Sequence, residues 1–126
     1  MTISEVSARY GLTPDTLRYY ERVGLIPTVH RTASGIRDYT EEDCRWVEFV
    51  RCMRRAGLPI EALIEYVALF QRGDETIPAR LALLSEQRRL LEARMEDMRL
   101  TLERLVFKIE RYDSVLLPRE QELATH

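Results

Sequence analysis

The chain has 126 residues, of which 45% are hydrophobic and 32% charged, and its formal net charge is −2. This length suits one small domain with an extension, and the sequence holds no run of about 18 apolar residues that would span a membrane. Glu5 and Arg9 interrupt the N-terminal region before a signal-peptide core develops, so we expect a cytoplasmic protein. The two cysteines have no paired spacing, which argues against a disulfide scaffold.

The first 24 residues predict a helix-turn-helix. Thr2 and Glu5 have the spacing of a capping box, and Gly11 ends a short first helix. A second helix begins at Pro14, a residue favoured in the first turn, and stops at Gly24. Two short helices joined by a glycine-containing turn are typical of this motif.

The second helix carries the sequence T-L-R-Y-Y-E at positions 16–21. At about 100° per residue, Arg18 and Tyr19 fall on one face, opposite Tyr20. Arginine and tyrosine are common phosphate contacts in protein–DNA interfaces, so the pattern predicts that Arg18 and Tyr19 meet DNA. For Tyr20, a DNA contact and a packing role remain equal alternatives.

A short hairpin follows the second helix. Two extended runs, 28–32 and 36–39, are separated by a glycine and read as a wing beside the helix. Arg31 and Arg37 lie in the two arms, and Arg37 shares one strand face with Tyr39.

The charges are distributed unevenly along the chain. Between positions 9 and 37 there are five arginines and two acidic residues, which gives that segment +3, whereas positions 56–126 carry ten basic and thirteen acidic groups. A basic head on an acidic body is the charge pattern expected of a DNA-binding head.

Three motifs in this order carry a family resemblance: T-L-R-Y-Y-E, then G-L-I-P, then R-T-A-S-G-I-R-D-Y. The chain resembles the MerR family of bacterial transcription regulators from residue 1 to about residue 70. The resemblance implies a winged helix-turn-helix domain over residues 1–72. It also implies DNA-backbone or groove contacts at five positions: Arg18, Tyr19, Tyr20, Arg37 and Tyr39. We expect Thr16 on the second helix and Arg31 in the wing to bind DNA as well.

The helix predicted over 41–55 carries both cysteines, Cys44 and Cys52. A rise of about 1.5 Å per residue separates them by about 12 Å, too far for a disulfide within one helix. Arg51 and Arg55 flank Cys52, and nearby cations favour a reactive thiolate, although a small buried hydrophobe is the commoner fate of a cysteine. Together, the segments R-T-A-S-G-I-R-D-Y and E-F-V-R-C-M-R-R-A-G-L-P-I-E-A-L-I-E-Y resemble the AdhR/NmlR branch of MerR regulators. Cys52 stands in the R-C-M-R part of this match, and the resemblance implies that it senses reactive aldehydes or thiol oxidants.

A long helix with a heptad pattern is predicted over residues 77–113, after a linker at 73–76 and before a tail at 114–126. Ten of the eleven a and d positions from Ile77 to Tyr112 are apolar, which requires a partner surface and predicts a homodimer. The expected seam includes Leu84, Leu91, Met95, Met98, Leu102, Leu105 and Ile109. The expected fold class is therefore mainly all-α, with a small β-hairpin wing and a coiled-coil dimerisation helix.

The leading interpretation is a regulator that binds double-stranded DNA. The resemblance implies action on a palindromic promoter with an overlong spacer, which the protein distorts for RNA polymerase. The alternatives are a MerR-like sensor of a non-covalent small ligand and an architectural DNA-bending protein without signal input. No nucleophile–histidine arrangement, catalytic carboxylate pair or glycine-rich phosphate loop indicates an enzyme, and no cluster of ligands or cofactor motif indicates a metal or a cofactor.

Overall fold

The computed structural model describes residues 1–112 and 117–124. The fold is mainly helical, as predicted, and the chain divides into two compact units, residues 1–87 and 88–126. The described helices are α1 (Ile3–Tyr10), α2 (Pro14–Val23), α3 (Glu41–Arg55), α4 (Ile60–Gln71), α5 (Ile77–Arg111) and α6 (Leu117–Ala124).

The helix-turn-helix is fixed by local capping. The Thr2 side chain accepts a hydrogen bond from the Glu5 amide at 3.1 Å, and the Glu5 carboxylate accepts one from the Thr2 amide. Gly11 and Gly24 end α1 and α2 in the left-handed region, with φ of 67° and 85°. Side chains with a Cβ are disfavoured there, so the two glycines set where each helix stops.

The wing is a short hairpin between α2 and α3. Arg31 and Arg37 form one antiparallel bridge, and the Asp38 amide donates to the His30 carbonyl at 2.7 Å. Gly35 turns the chain with φ of 86°. The pairing is shorter than the predicted runs, because the turn takes up residues 32–35.

One apolar core holds α1 to α4 and the wing together. Its members are buried residues from each of these elements, with Trp46 also making edge contacts to Phe49 and Phe70. The buried core residues are Val6, Leu17, Tyr20, Leu25, Ile26, Val29, Tyr39, Cys44, Trp46, Val47, Val50, Leu58, Leu63 and Val67. Burial of this set fixes α2 and the wing on the same small body.

An ordered turn stands where the sequence predicted a linker at 73–76. Asp74–Thr76 form a 3-10 helix, and the buried Thr76 hydroxyl donates to the Leu69 carbonyl at 2.6 Å. Arg80 in the first turn of α5 donates from Nε to the Thr76 hydroxyl at 3.0 Å and lies over the Phe70 ring. These contacts attach the start of α5 to the end of α4.

Helix α5 runs for 35 residues without a break. Residue 113, the last of the predicted coil, lies outside the described residues, and α6 occupies part of the predicted tail. Tyr112 donates from its hydroxyl to Glu120 at 2.6 Å, which ties α6 to the end of α5. Among the described helices, none is both long enough and apolar enough to cross a membrane.

Candidate nucleic-acid interface

Helix α2 presents two of the predicted DNA contacts to solvent. Arg18 is exposed and its Nη1 lies 2.8 Å from Asp15 Oδ1 one turn earlier. Tyr19 is half-buried, and the Arg22 guanidinium lies 5.5 Å from the centroid of its ring. An exposed ion pair of this kind contributes little to stability, so Arg18 can exchange Asp15 for a phosphate at low cost.

The wing brings two further arginines to the same face. Arg18 and Arg22 of α2 and Arg31 and Arg37 of the wing line one depression of about 430 Å³. Glu21 is the acidic residue in its lining. Four guanidinium groups around one concave surface form an attractive site for a polyanion backbone.

Glu21 connects α2 to the wing through both carboxylate oxygens. Oε1 accepts a hydrogen bond from Arg37 Nε at 2.7 Å and lies 3.9 Å from an Arg31 nitrogen, while Oε2 accepts one from the Val29 amide at 3.0 Å. Burial by itself raises the pKa of Glu21, but the hydrogen bonds from Arg37 and Val29 outweigh it and lower the pKa below its ordinary value.

Two predicted DNA contacts lie in the core instead. Tyr20 is 7% exposed and Tyr39 is 2% exposed, and both belong to the apolar cluster. The expectation of a DNA contact is therefore replaced by a packing role for Tyr39, and the packing alternative fits Tyr20. The burial of Tyr20 agrees with its place opposite Arg18 on the helical wheel. In the wing, the Tyr39 side chain lies in the core, whereas that of Arg37, two residues earlier, pairs with Glu21.

Thr16 belongs to the capped first turn of α2, where Thr13 is the N-cap. Its amide donates to the Thr13 side-chain oxygen at 3.1 Å, and the two hydroxyls lie 2.8 Å apart. Thr13 thereby satisfies a free amide at the start of α2. Thr16 thus sits half-buried in the first turn of α2, one turn before Tyr20.

The two cysteines differ in accessibility. Cys44 is buried, with its Sγ 3.9 Å from Met1 Sδ, whereas Cys52 is exposed in the last turn of α3. The neighbouring Arg51 reaches across to α1, where its Nη1 donates to the Tyr10 carbonyl at 3.1 Å. Of the two thiols, only that of Cys52 is open to a reagent in solution.

The predicted dimer seam lies along an apolar stripe of α5. Leu84 and Leu91 are half-buried within the chain. The remaining seam residues are each more than half exposed: Met95, Met98, Leu102, Leu105 and Ile109. An exposed row of large apolar side chains indicates a surface that another chain covers.

Metal-ligating groups are not gathered in the part of the chain that the structure describes. Over residues 1–112 and 117–124, no group of three or more histidine, cysteine, aspartate or glutamate side chains is placed to hold a metal ion.

Glu21 is the residue that sequence reasoning missed. The signal was available, because a carboxylate on the inward side of an amphipathic helix needs a cationic partner.

Two family models match the chain in agreement with this geometry. Residues 1–69 match the MerR HTH family regulatory protein model, and residues 44–106 match the model described as MerR, DNA binding. The chain belongs to the MerR family. It is therefore a DNA-binding transcriptional regulator and not an enzyme.

This MerR-family regulator has close relatives among characterised chains and solved structures. It is 61% identical over 93 residues to the HTH-type transcriptional regulator AdhR of Bacillus subtilis (strain 168), covering 73% of this chain and 66% of the relative, slightly under two thirds. A MerR family transcriptional regulator from Listeria monocytogenes superimposes with a TM-score of 0.89 at 51% identity, covering 99% and 95% of the two chains.

A third relative is a DNA complex. The structure of HiNmlR, described as a MerR family regulator lacking the sensor domain and bound to promoter DNA, matches with a TM-score of 0.81 at 27% identity. The match covers 89% of each chain.

Proposed function

We propose that this regulator binds a palindromic promoter as a homodimer and responds to electrophiles through Cys52. It acts on a promoter with an overlong spacer and distorts the DNA so that RNA polymerase can use it. The observation that carries the DNA-binding part is the depression lined by Arg18, Arg22, Arg31 and Arg37. The promoter-bound state of HiNmlR supports the same class of partner.

The arginine-lined depression suits backbone contacts on bent DNA. Guanidinium groups bind phosphate oxygens through paired N–H donors, and such contacts position a protein without reading bases. Arg18 belongs to α2 and Arg31 to the wing, so one head offers phosphate-binding groups from two different elements around one depression. Contacts on both sides of a groove stabilise distorted DNA relative to straight DNA.

Dimerisation through α5 supplies the second head. The exposed apolar stripe from Met95 to Ile109 follows a heptad repeat, which is the pattern of a helix that pairs along its length. Two identical heads related by a two-fold axis match a palindromic site.

The DNA-binding proposal is tested with Arg18→Ala and the control Arg45→Ala. Arg45 is also an exposed arginine, lies on α3, pairs with Glu42 as Arg18 pairs with Asp15, and is outside the depression. The probe is a duplex selected from a randomised library with the wild-type protein. Affinity for this duplex should fall in Arg18→Ala, with a shallower dependence on salt, and stay near wild type in Arg45→Ala. Equal affinities for all three proteins would refute the proposed interface.

The position of Cys52 supports its role as the sensor. Its thiol is exposed, and it precedes Met53, whose side chain packs against the core. Arg51 on its other side links α3 to the end of α1 through the Tyr10 carbonyl. A group added to Cys52 therefore perturbs a segment that touches both the core and the helix-turn-helix.

The chemistry needs no oxidant when the inducer is an aldehyde. The Cys52 thiolate adds to the carbonyl carbon, a C–S bond forms, and the carbonyl electron pair moves to oxygen, which takes a proton from water. The product is a hemithioacetal that shifts the dimer between two DNA-bound conformations. The high identity to AdhR, together with the R-C-M-R segment, supports this branch of the family.

The sensor proposal is tested in a promoter reporter with formaldehyde, methylglyoxal or the thiol oxidant diamide. Cys52→Ala should abolish induction while leaving DNA binding in place, and Cys44→Ala, the buried control, should retain it. Mass spectrometry should find the aldehyde adduct on Cys52. Full induction of Cys52→Ala would refute the sensor and leave the DNA-binding proposal intact.

A further inference from the structure

Glu21 presents a contradiction for a surface that binds a polyanion. It is an acidic residue in the lining of the depression formed by four arginines, and its side chain is only 9% exposed. By charge alone, a carboxylate here weakens attraction for phosphate. Burial of a carboxylate also costs free energy unless hydrogen bonds and opposite charges compensate for it.

The contacts of Glu21 indicate what compensates for that cost. One carboxylate oxygen holds the Arg37 Nε at 2.7 Å, and the other holds the Val29 amide at 3.0 Å. These two partners belong to the two arms of the hairpin, because Val29 precedes the bridge residue Arg31 and Arg37 is the bridge residue of the other arm. The carboxylate therefore fixes both arms of the wing against α2.

Besides Glu21, the wing is held by hydrogen bonds within its own turn and by the Met1 ammonium, which pairs with Asp38 Oδ1 at 3.0 Å at the end of its second arm. Within the described residues it is paired by one antiparallel bridge, and most of its side chains from His30 to Ile36 are exposed. An isolated hairpin of this size is unstable in water, so its position depends on attachment to the body of the domain. Val29 and Tyr39 anchor its ends in the core, and Glu21 bonds the Val29 amide of the first arm and the Arg37 side chain of the second to α2.

We propose that Glu21 is a positioning residue for DNA binding: it clamps the wing to α2 and sets the Arg37 guanidinium for phosphate contact without touching DNA itself. Glu21 engages Arg37 through Nε, which leaves the donors of both Nη atoms for another acceptor. A guanidinium fixed on one edge loses less conformational freedom when it binds a phosphate on the other. This inference rests on the proposed DNA interface.

The clamp and simple charge counting predict opposite changes in DNA affinity for the substitution Glu21→Gln. Glu21→Gln keeps an oxygen that can accept from the Val29 amide but sets a neutral amide against Arg37 Nε. If only charge mattered, loss of a negative charge would raise DNA affinity. If Glu21 is a clamp, affinity should fall on the order of tenfold, because Arg37 is released. Asp15→Asn, an equal charge change on the exposed face of α2, is the matched control and should not lower affinity.

The test measures affinity for the selected duplex over a series of salt concentrations. Glu21→Gln and Arg37→Ala should show the same reduced salt slope, and the double variant should bind no more weakly than Arg37→Ala alone. Arg37→Lys serves as a second variant that leaves Glu21 unaltered. It retains the charge but loses the planar fork, and the clamp requires it to bind more weakly than wild type.

The outcomes separate the inference from the function on which it rests. Unchanged or higher affinity in Glu21→Gln, or additive losses in the double variant, would overturn the clamp while Arg18→Ala still reports on the interface. The clamp would also be overturned if Glu21→Gln lost DNA binding while Arg37→Lys bound DNA as tightly as wild type. If Arg18→Ala and Arg37→Ala both bind as wild type, the proposed interface itself fails.

Discussion

Leu102→Ala is the sharpest test of the proposed dimer. Leu102 occupies an a position of the heptad pattern on α5 and is 60% exposed in the single chain. Alanine favours helix at least as strongly as leucine, so the substitution leaves α5 helical and removes only the apolar surface. A dimer that buries this side chain therefore loses stability, whereas a monomer is unaffected.

The size of the effect follows from the exposed fraction. Complete burial of a leucine side chain contributes about 1.5–3 kcal/mol, and 60% of the Leu102 surface remains to be covered, which gives about 0.9–1.8 kcal/mol per copy. A symmetric dimer carries the change twice, so the free energy of dissociation falls by about 1.8–3.6 kcal/mol. The dissociation constant should rise roughly 20- to 400-fold.

Sedimentation equilibrium over a range of protein concentrations measures this constant. The control is Arg104→Ala, two residues along α5 and on the opposite side of the helical wheel, which should leave the constant near wild type. Circular dichroism confirms that both variants keep their helix content. A dissociation constant for Leu102→Ala within twofold of wild type would show that the a and d positions are not the dimer seam.

Three further predictions concern the stability of the head, each measured by urea unfolding at fixed protein concentration. The buried Tyr39 hydroxyl has no hydrogen-bond partner among the described residues. Tyr39→Phe should therefore leave DNA affinity unchanged and either keep the free energy of unfolding or raise it by up to about 1 kcal/mol. A fall in the free energy of unfolding by more than about 1 kcal/mol would reveal a hydrogen bond to the hydroxyl. Thr40→Ala removes the side-chain oxygen that accepts from the Asp43 amide at 3.1 Å and should lower the free energy of unfolding by about 1 kcal/mol; no change would mean that solvent replaces the cap equally well. The folded pKa of Glu21 lies below the ordinary value of 4.5, so the ionised carboxylate contributes to the free energy of unfolding above pH 4.5, and this contribution is lost as the pH falls through the folded pKa. The difference in the free energy of unfolding between wild type and Glu21→Gln should therefore shrink over that range. A difference independent of pH would contradict this role of Glu21.

Local signals predicted most of the helical framework. Capping residues and glycines are read from a few neighbours, so the ends of α1 and α2 and the span of α3 agree with the pattern. The 3-10 turn within the predicted linker at 73–76 was not predicted, because it is stabilised by a hydrogen bond from the Thr76 hydroxyl to the Leu69 carbonyl in α4. That bond depends on a meeting of two elements and has no sequence signature.

Periodicity along the sequence predicted side-chain orientation in the DNA-binding head only in part. The helical wheel correctly turned Arg18 outward and Tyr20 inward, because a helix imposes a regular rotation on its side chains. The wing has no such constraint over its few residues. Tyr39 is buried and Arg37 is drawn towards Glu21, and neither follows from the two-residue repeat of a strand.

Residue order alone establishes the family, the helix-turn-helix with its caps, the apolar stripe of α5 and the presence of one cysteine among basic residues. All of these depend on residue identity and on spacing along one element. The packed fold is needed to show which thiol is exposed, which tyrosines lie in the core, and that Glu21 bridges α2 to the wing. Those properties arise from contacts between residues far apart in the chain, such as Glu21 and Arg37, whose free energy of burial and pairing exists only after the elements have packed.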